Sequence, residues 1–279
     1  MSKKKQAVKY LLIAGFSFVT LMVSQFAALM LCAPLTLLGI PAALGNVAAT
    51  VFYVIFAFLL VKLICKLSKT KLSDYRITKP KVKPVWAAAA VIMPLIVIAL
   101  SLLSGAEWQI TQLDSTAAAM LASQIFFISV GAGIVEELIF RGMIMGALES
   151  FSNKAVAVIV PSVLFGAVHL MNGRLSVLST VQLIIAGTAV GILFSLVTIH
   201  SESFWSSSLM HIVWNFLVGG SLIKIGAEGS DDTFFSLVLN NKSFLITGGE
   251  FGIESSIFSI IAYAVFIVVA LVLIKRKVK

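Results

Sequence analysis

Long apolar stretches recur along the chain, separated by short polar or basic connections. Runs of about 20 apolar residues, enough to cross a hydrocarbon core roughly 30 Å thick, fall near 10–33, 44–65, 85–103, 119–140, 155–171, 180–199, 204–223 and 257–274. The pattern predicts an all-α fold, a polytopic transmembrane helical bundle of about eight spans. Polar residues thin the fifth and seventh runs, and only about four residues part the sixth from the seventh. No internal repeat, low-complexity linker or soluble domain interrupts the series. Residues 1–118 hold three spans and a basic loop over 62–83, residues 119–223 four spans, 224–256 an outer loop, and 257–279 the last span with a basic tail.

Charge fixes the orientation. Lys3, Lys4, Lys5 and Lys9 precede the first run, Lys275, Arg276, Lys277 and Lys279 follow the last, and the stretch Lys62 to Lys83 holds eight Lys or Arg against one acid, Asp74. Basic residues collect in cytoplasmic loops, so both termini are expected to be cytoplasmic, which an odd span count would forbid. The loops left outside are acidic, with Glu107, Asp114, Glu228, Asp231, Asp232, Glu250 and Glu254 against Arg174, Lys224 and Lys242. At 279 residues, 59% hydrophobic and 12% charged, with mean hydropathy +1.06, the chain is unlike a soluble domain, where about 25% of residues carry charge. The net charge of +9 is assigned to orientation and to contact with anionic lipid headgroups; membrane lipids are expected partners and nucleic acid is not. The basic, apolar N-terminus resembles a signal sequence, but its run of about 24 residues lacks a convincing cleavage site and reads as an uncleaved span. Cys32 and Cys65 fall at opposite ends of their spans and are not expected to pair.

Against this apolar background a few polar residues stand out, because an ionisable group costs about 2.5–3.5 kcal/mol in a spanning helix. One run reads Glu136-Glu137-Leu-Ile-Phe-Arg141, the next Phe165-Gly-Ala-Val-His169, a third His211-Ile-Val-Trp-Asn215. Glu137 and Arg141, four apart, can pair on one helix face, while Glu136 points about 100° away, so one carboxylate can be held structurally and the other turned to a cavity as a general base. Pairing of both acids with bases at the cytoplasmic rim is the plainer alternative, and a lone His in an apolar helix is commonly a hydrogen-bonded structural residue. Three such helices together point to one buried polar site. If spans four and five turn near Ser152, Glu136 lies level with about residue 168, next to His169. Counting from the connections places this site in the cytoplasmic half, open toward that face. Glycines at four-residue spacing, Gly142 with Gly146 and Gly187 with Gly191, and also Gly131 and Gly133, suit close helix crossings. His200, beside Glu202 at a helix end, reads as interfacial.

In this order and spacing the motifs Glu-Glu-x-x-x-Arg, Phe-x-x-x-His and His-x-x-x-Asn resemble the CAAX protease and bacteriocin-processing (CPBP) family of intramembrane endopeptidases, related to the type II CAAX prenyl proteases. All seven positions, Glu136, Glu137, Arg141, Phe165, His169, His211 and Asn215, are present, and the resemblance covers about residues 119–223. It implies hydrolysis of peptide bonds in membrane-associated peptide or protein substrates. Glu136, assisted by His169, would activate water; His211 and Asn215 would stabilise the oxyanion; Glu137, Arg141 and Phe165 would shape the site. The cofactor stays open. Glu136, His169 and His211 could bind Zn as a His-His-Glu set, yet no H-E-x-x-H helix is present, and a metal-free glutamate-activated water is the favoured reading. The alternatives are a non-catalytic bacteriocin-immunity or surface-display protein on the same fold, and a transporter using the acids and histidines as a proton relay. The expected setting is a bacterial cell membrane, with peptide pheromones, bacteriocin precursors or membrane-protein tails as substrates.

Overall fold

A computed structural model describes residues 3–219 and 222–278. Lys279 of the basic tail and residues 220–221 of the expected seventh span lie outside the described residues. The chain runs α1 (Lys3–Cys32), α2 (Ala42–Ser68), α3 (Pro84–Leu103), β1 (Glu107–Ile110), α4 (Ser115–Glu149), α5 (Lys154–Val168), α6 (Val177–Ser201), α7 (Trp205–Trp214), β2 (Ile223–Gly226), β3 (Phe235–Val238) and α8 (Ile257–Val278). It is an all-α polytopic bundle, and among the described residues seven helices are long and apolar enough to cross a membrane. Large side chains such as Phe16, Phe26, Leu59, Val160, Ile185 and Val268 stay exposed on their outer faces, as lipid contact requires. Hydroxyls inside the helices bond back one turn, Ser17 to the Ile13 carbonyl, Ser24 to Thr20 and Ser195 to Gly191, so these buried donors need no water.

The expected seventh span is too short to count with the others. α7 continues through a π-turn, Asn215–Gly219, and together they reach about 22 Å at 1.5 Å per residue. They nonetheless traverse the bundle. At the start, the Phe204 N–H donates to the Arg76 carbonyl and Ser206 accepts from the Lys83 N–H; at the far end the chain enters β2, which pairs with β3, itself paired with β1 behind α3. α7 can be short because α3, α4 and α6 surround it, so Ser206, Ser207 and Ser208 are buried in protein.

Both described ends lie on one face. Gln6 donates to the Ser150 carbonyl, Arg76 pairs with Glu149 at 2.7 Å, and Lys277 pairs with Glu202. That face gathers the basic segment between α2 and α3, the α4–α5 turn and the α6–α7 turn. The opposite face carries the acidic connections and a small sheet of order β1-β3-β2, antiparallel then parallel. These strands fall partly in the expected outer loop and have no long alternating pattern of their own.

Helix crossings are closest at glycine. A Cβ on Gly187 would stand 2.6 Å from Gly166 Cα, and one on Gly191 2.7 Å from Ser162 Cα, which fixes α5 against α6. At Gly133 it would stand 2.7 Å from Ile212 Cγ1 and 3.0 Å from the Ile212 backbone nitrogen, so α4 and α7 touch backbone to backbone. Ser208 Oγ donates to the Gly133 carbonyl at 2.7 Å and locks the same crossing.

Candidate active site

α4 is not a uniform α-helix. π-turns at Phe127–Ala132 and Leu138–Ile144 flank a regular segment Gly133–Glu137, and such bulges re-aim side chains at functional sites. Glu137 and Arg141 still meet, at 2.8 Å, and both are wholly buried. Arg141 Nε and Nη2 have no hydrogen-bond partner among the described residues. Instead the guanidinium lies 4.2 Å from the Phe165 ring centroid and 5.3 Å from that of Phe194, where ring quadrupoles attract a cation. A buried carboxylate is thereby held by a cation that aromatic faces stabilise.

α7 presents His211 to both glutamates. Its Nδ1 is 3.1 Å from Glu137 Oε1, and its Nε2 is 3.9 Å from Glu136 Oε2. The first contact is a hydrogen bond in which Nδ1–H donates to the carboxylate. The second is too long for one, and Glu136 Oε2 has no protein partner among the described residues. Phe194 stacks on the His211 ring at 5.3 Å and Phe165 meets it edge-on at 5.7 Å.

His169 caps the end of α5. Its Nδ1 lies 2.7 Å from the Phe165 carbonyl oxygen; a carbonyl only accepts, so Nδ1 carries the hydrogen and Nε2 of the neutral ring keeps its lone pair. Phe165 packs against it at 4.9 Å, and Phe251 from the far side at 5.9 Å. Asn215 gives one amide hydrogen to the Ile128 carbonyl at 3.2 Å, which leaves its second N–H and its oxygen uncommitted to that bond.

Glu136, Phe165, His169, His211 and Asn215 line one cavity of about 560 Å³. Glu137 and Arg141 lie beneath it and do not line it. Among the described residues no three His, Cys, Asp or Glu side chains converge as a metal-ligand set, and no step below is routed through a metal.

The cavity corrects one expectation. Its lining includes Met171, Gly219, Phe251 and Glu254, all at the connections of the acidic face, and approaches the basic face no nearer than Phe194 and His211. Each of these two is seven residues, roughly 10 Å, from the α6–α7 turn. The site therefore opens on the face opposite the termini. Counting residues from connections failed because α5 ends at Val168, so its outer connection dips into the bundle and the cavity mouth dips with it.

Several lining residues escaped the motif reading: Gln25 on α1, Tyr53 on α2, Trp214, Glu254 and Tyr263. For Gln25 the signal was present, a polar side chain within an apolar run; nothing local marked the others. At the mouth, the Glu250 carboxylate accepts from the Ser176 backbone N–H at 2.5 Å, and this bond holds it below the usual carboxylate range. Away from the site, His200 is buried and accepts from Trp86 Nε1 at 2.9 Å, so it is packed in protein and not merely interfacial.

Comparison with curated proteins and with solved structures finds no match. Residues 118–217, the stretch that carries Glu136 through Asn215, match the family model described as type II CAAX prenyl endopeptidase Rce1-like.

Proposed function

We propose that the chain is an intramembrane endopeptidase in which Glu136 activates water for attack on a peptide carbonyl. The observation that carries this reading is the unpartnered Glu136 Oε2 set 3.9 Å from His211 Nε2 inside the cavity. That gap is one that a water hydrogen-bonded to both groups can span. Glu136 takes the water proton as general base and returns it to the amine nitrogen as the tetrahedral intermediate collapses and the C–N bond breaks. His169, with Nδ1–H committed to Phe165, offers Nε2 to orient the same water. The oxyanion is met by the free N–H of Asn215 and by Nε2–H of His211 in its imidazolium form, whose ring Glu137 orients through Nδ1; donors aimed at developing charge in a water-poor cavity commonly give 10²–10³-fold each. Arg141 neutralises Glu137 and leaves Glu136 available as base.

Because the cavity opens on the acidic face, the substrates proposed are peptides or protein tails that reach the membrane from that side. The test compares peptides released from membranes carrying wild type, Glu136→Gln and His169→Ala, by mass spectrometry, with and without a chelator. Products present in wild type, absent in both variants and unchanged by the chelator are expected. Normal processing by Glu136→Gln would end the proposal, and loss on chelation would overturn the metal-free mechanism.

A further inference from the structure

Glu254 lies outside the matched stretch, in the turn Ile253–Ser255 before α8, and its carboxylate lines the cavity. The turn is rigidly held: Tyr263 donates to the Glu254 carbonyl, Gln182 to that of Ser255 and Ser259 to that of Ile253. One carboxylate oxygen, Oε2, accepts from Trp214 Nε1 at 2.8 Å. No Lys, Arg or His forms an ion pair with Glu254 among the described residues, whereas Glu137, also at the site, is neutralised by Arg141. Glu254 is then a carboxylate of the cavity that, among the described residues, no protein cation balances.

The position relative to the chemistry is informative. A Cβ built on Gly219 would stand 3.0 Å from Asn215 Oδ1 and 3.0 Å from Glu254 Oε2, so amide and carboxylate lie within about 6 Å of each other across the glycine. An extended peptide advances roughly 3.3–3.6 Å per residue. A carbonyl held at Asn215 therefore brings the side chain of a flanking residue to Glu254. Removing a carboxylate from bulk water without a cation is costly, and a cationic partner arriving with the substrate offsets that cost.

We infer that Glu254 is a specificity-determining residue that selects a Lys or Arg side chain within two residues of the scissile bond. This rests on the proteolytic reading above and adds the substrate class: basic peptides entering from the acidic face. Fixed negative charge around the cavity raises the local concentration of such peptides and disfavours acidic ones. The Trp214 bond orients the carboxylate without neutralising it.

Two measurements separate this inference from the reading it rests on. In the first, detergent-solubilised full-length protein is incubated with a random twelve-residue peptide library and the cleavage sites are mapped by mass spectrometry. Wild type is expected to enrich Lys or Arg about tenfold at one position near the cut, and Glu254→Gln, which still accepts from Trp214, to cleave without that enrichment. Absence of enrichment in wild type, or its survival in Glu254→Gln, overturns the inference. In the second, Glu136→Gln protein is titrated with a fluorescent Lys-containing peptide and its norleucine counterpart. Binding of the Lys peptide at least roughly tenfold tighter, as expected for a charge-assisted hydrogen bond, supports the inference even if no cleavage is seen. Equal affinity refutes it independently of hydrolysis and of whether Glu254→Gln folds.

Discussion

Gly133→Ala tests whether the backbone contact between α4 and α7 sets the active-site geometry. The added Cβ would meet Ile212 Cγ1 at 2.7 Å, the Ile212 nitrogen at 3.0 Å and its Cα at 3.1 Å. The side-chain atom can rotate away, but the two backbone atoms cannot, and ordinary contact needs about 3.5 Å, so the helices must part by roughly half an ångström. Alanine by itself favours a helix interior by up to about 1 kcal/mol, whereas overpacking costs about 1–3 kcal/mol, and at a rigid backbone contact the second effect dominates. His211 precedes Ile212 and moves with it. Its 3.1 Å contact to Glu137 opens to roughly 3.6 Å, beyond hydrogen-bond range, and misplacement approaching 1 Å lowers turnover by about 10²-fold. The assay is peptide cleavage in parallel with thermal unfolding in detergent. Gly15→Ala is the control, since nothing lies within 4 Å of its Cβ position, and it is expected to leave cleavage unchanged and to raise stability by no more than about 1 kcal/mol. Wild-type turnover in Gly133→Ala would refute the reasoning, whatever its unfolding temperature.

Glu137→Gln leaves Arg141 buried without its countercharge and is expected to lower stability by about 3–5 kcal/mol; Glu137→Gln with Arg141→Met should recover most of that in chemical denaturation while cleavage stays impaired, because His211 is no longer oriented. The Glu250 clamp is expected to depend on pH. The Ser176 N–H holds the Glu250 carboxyl below its ordinary value, so the clamp is fully present above the usual carboxylate pKa and lost as pH falls through the lowered one. Hydrogen exchange over 248–252 should therefore be slower than in Glu250→Gln in neutral buffer and converge with it at acidic pH.

The seven motif positions were legible in the sequence because ionisable groups in apolar runs are costly, and the Glu137–Arg141 pairing followed from helical spacing alone. His169 and Phe165 came together for the same local reason, one turn of α5. What the spacing did not contain was the second role of Phe165, whose ring also supports the Arg141 guanidinium, a contact between different helices. Nor did it contain the binding of His211 to Glu137, which depends on how α7 crosses α4 at Gly133. Glu254 was invisible as a site residue because the turn that delivers it is held by hydrogen bonds to α6, α7 and α8.

By itself the sequence determined that the chain is a helical bundle in a membrane, which face is basic, and which side chains must share a polar site, since hydropathy, charge and one-turn spacing are local quantities paid for residue by residue. Only the tertiary structure decided that the cavity opens on the acidic face, that α7 and its π-turn cross in about three-quarters of the usual length, and that residues from α1, α2 and the turn before α8 complete the wall. Those outcomes depend on where helices end and how closely glycines let them approach, and no single segment of the chain encodes either.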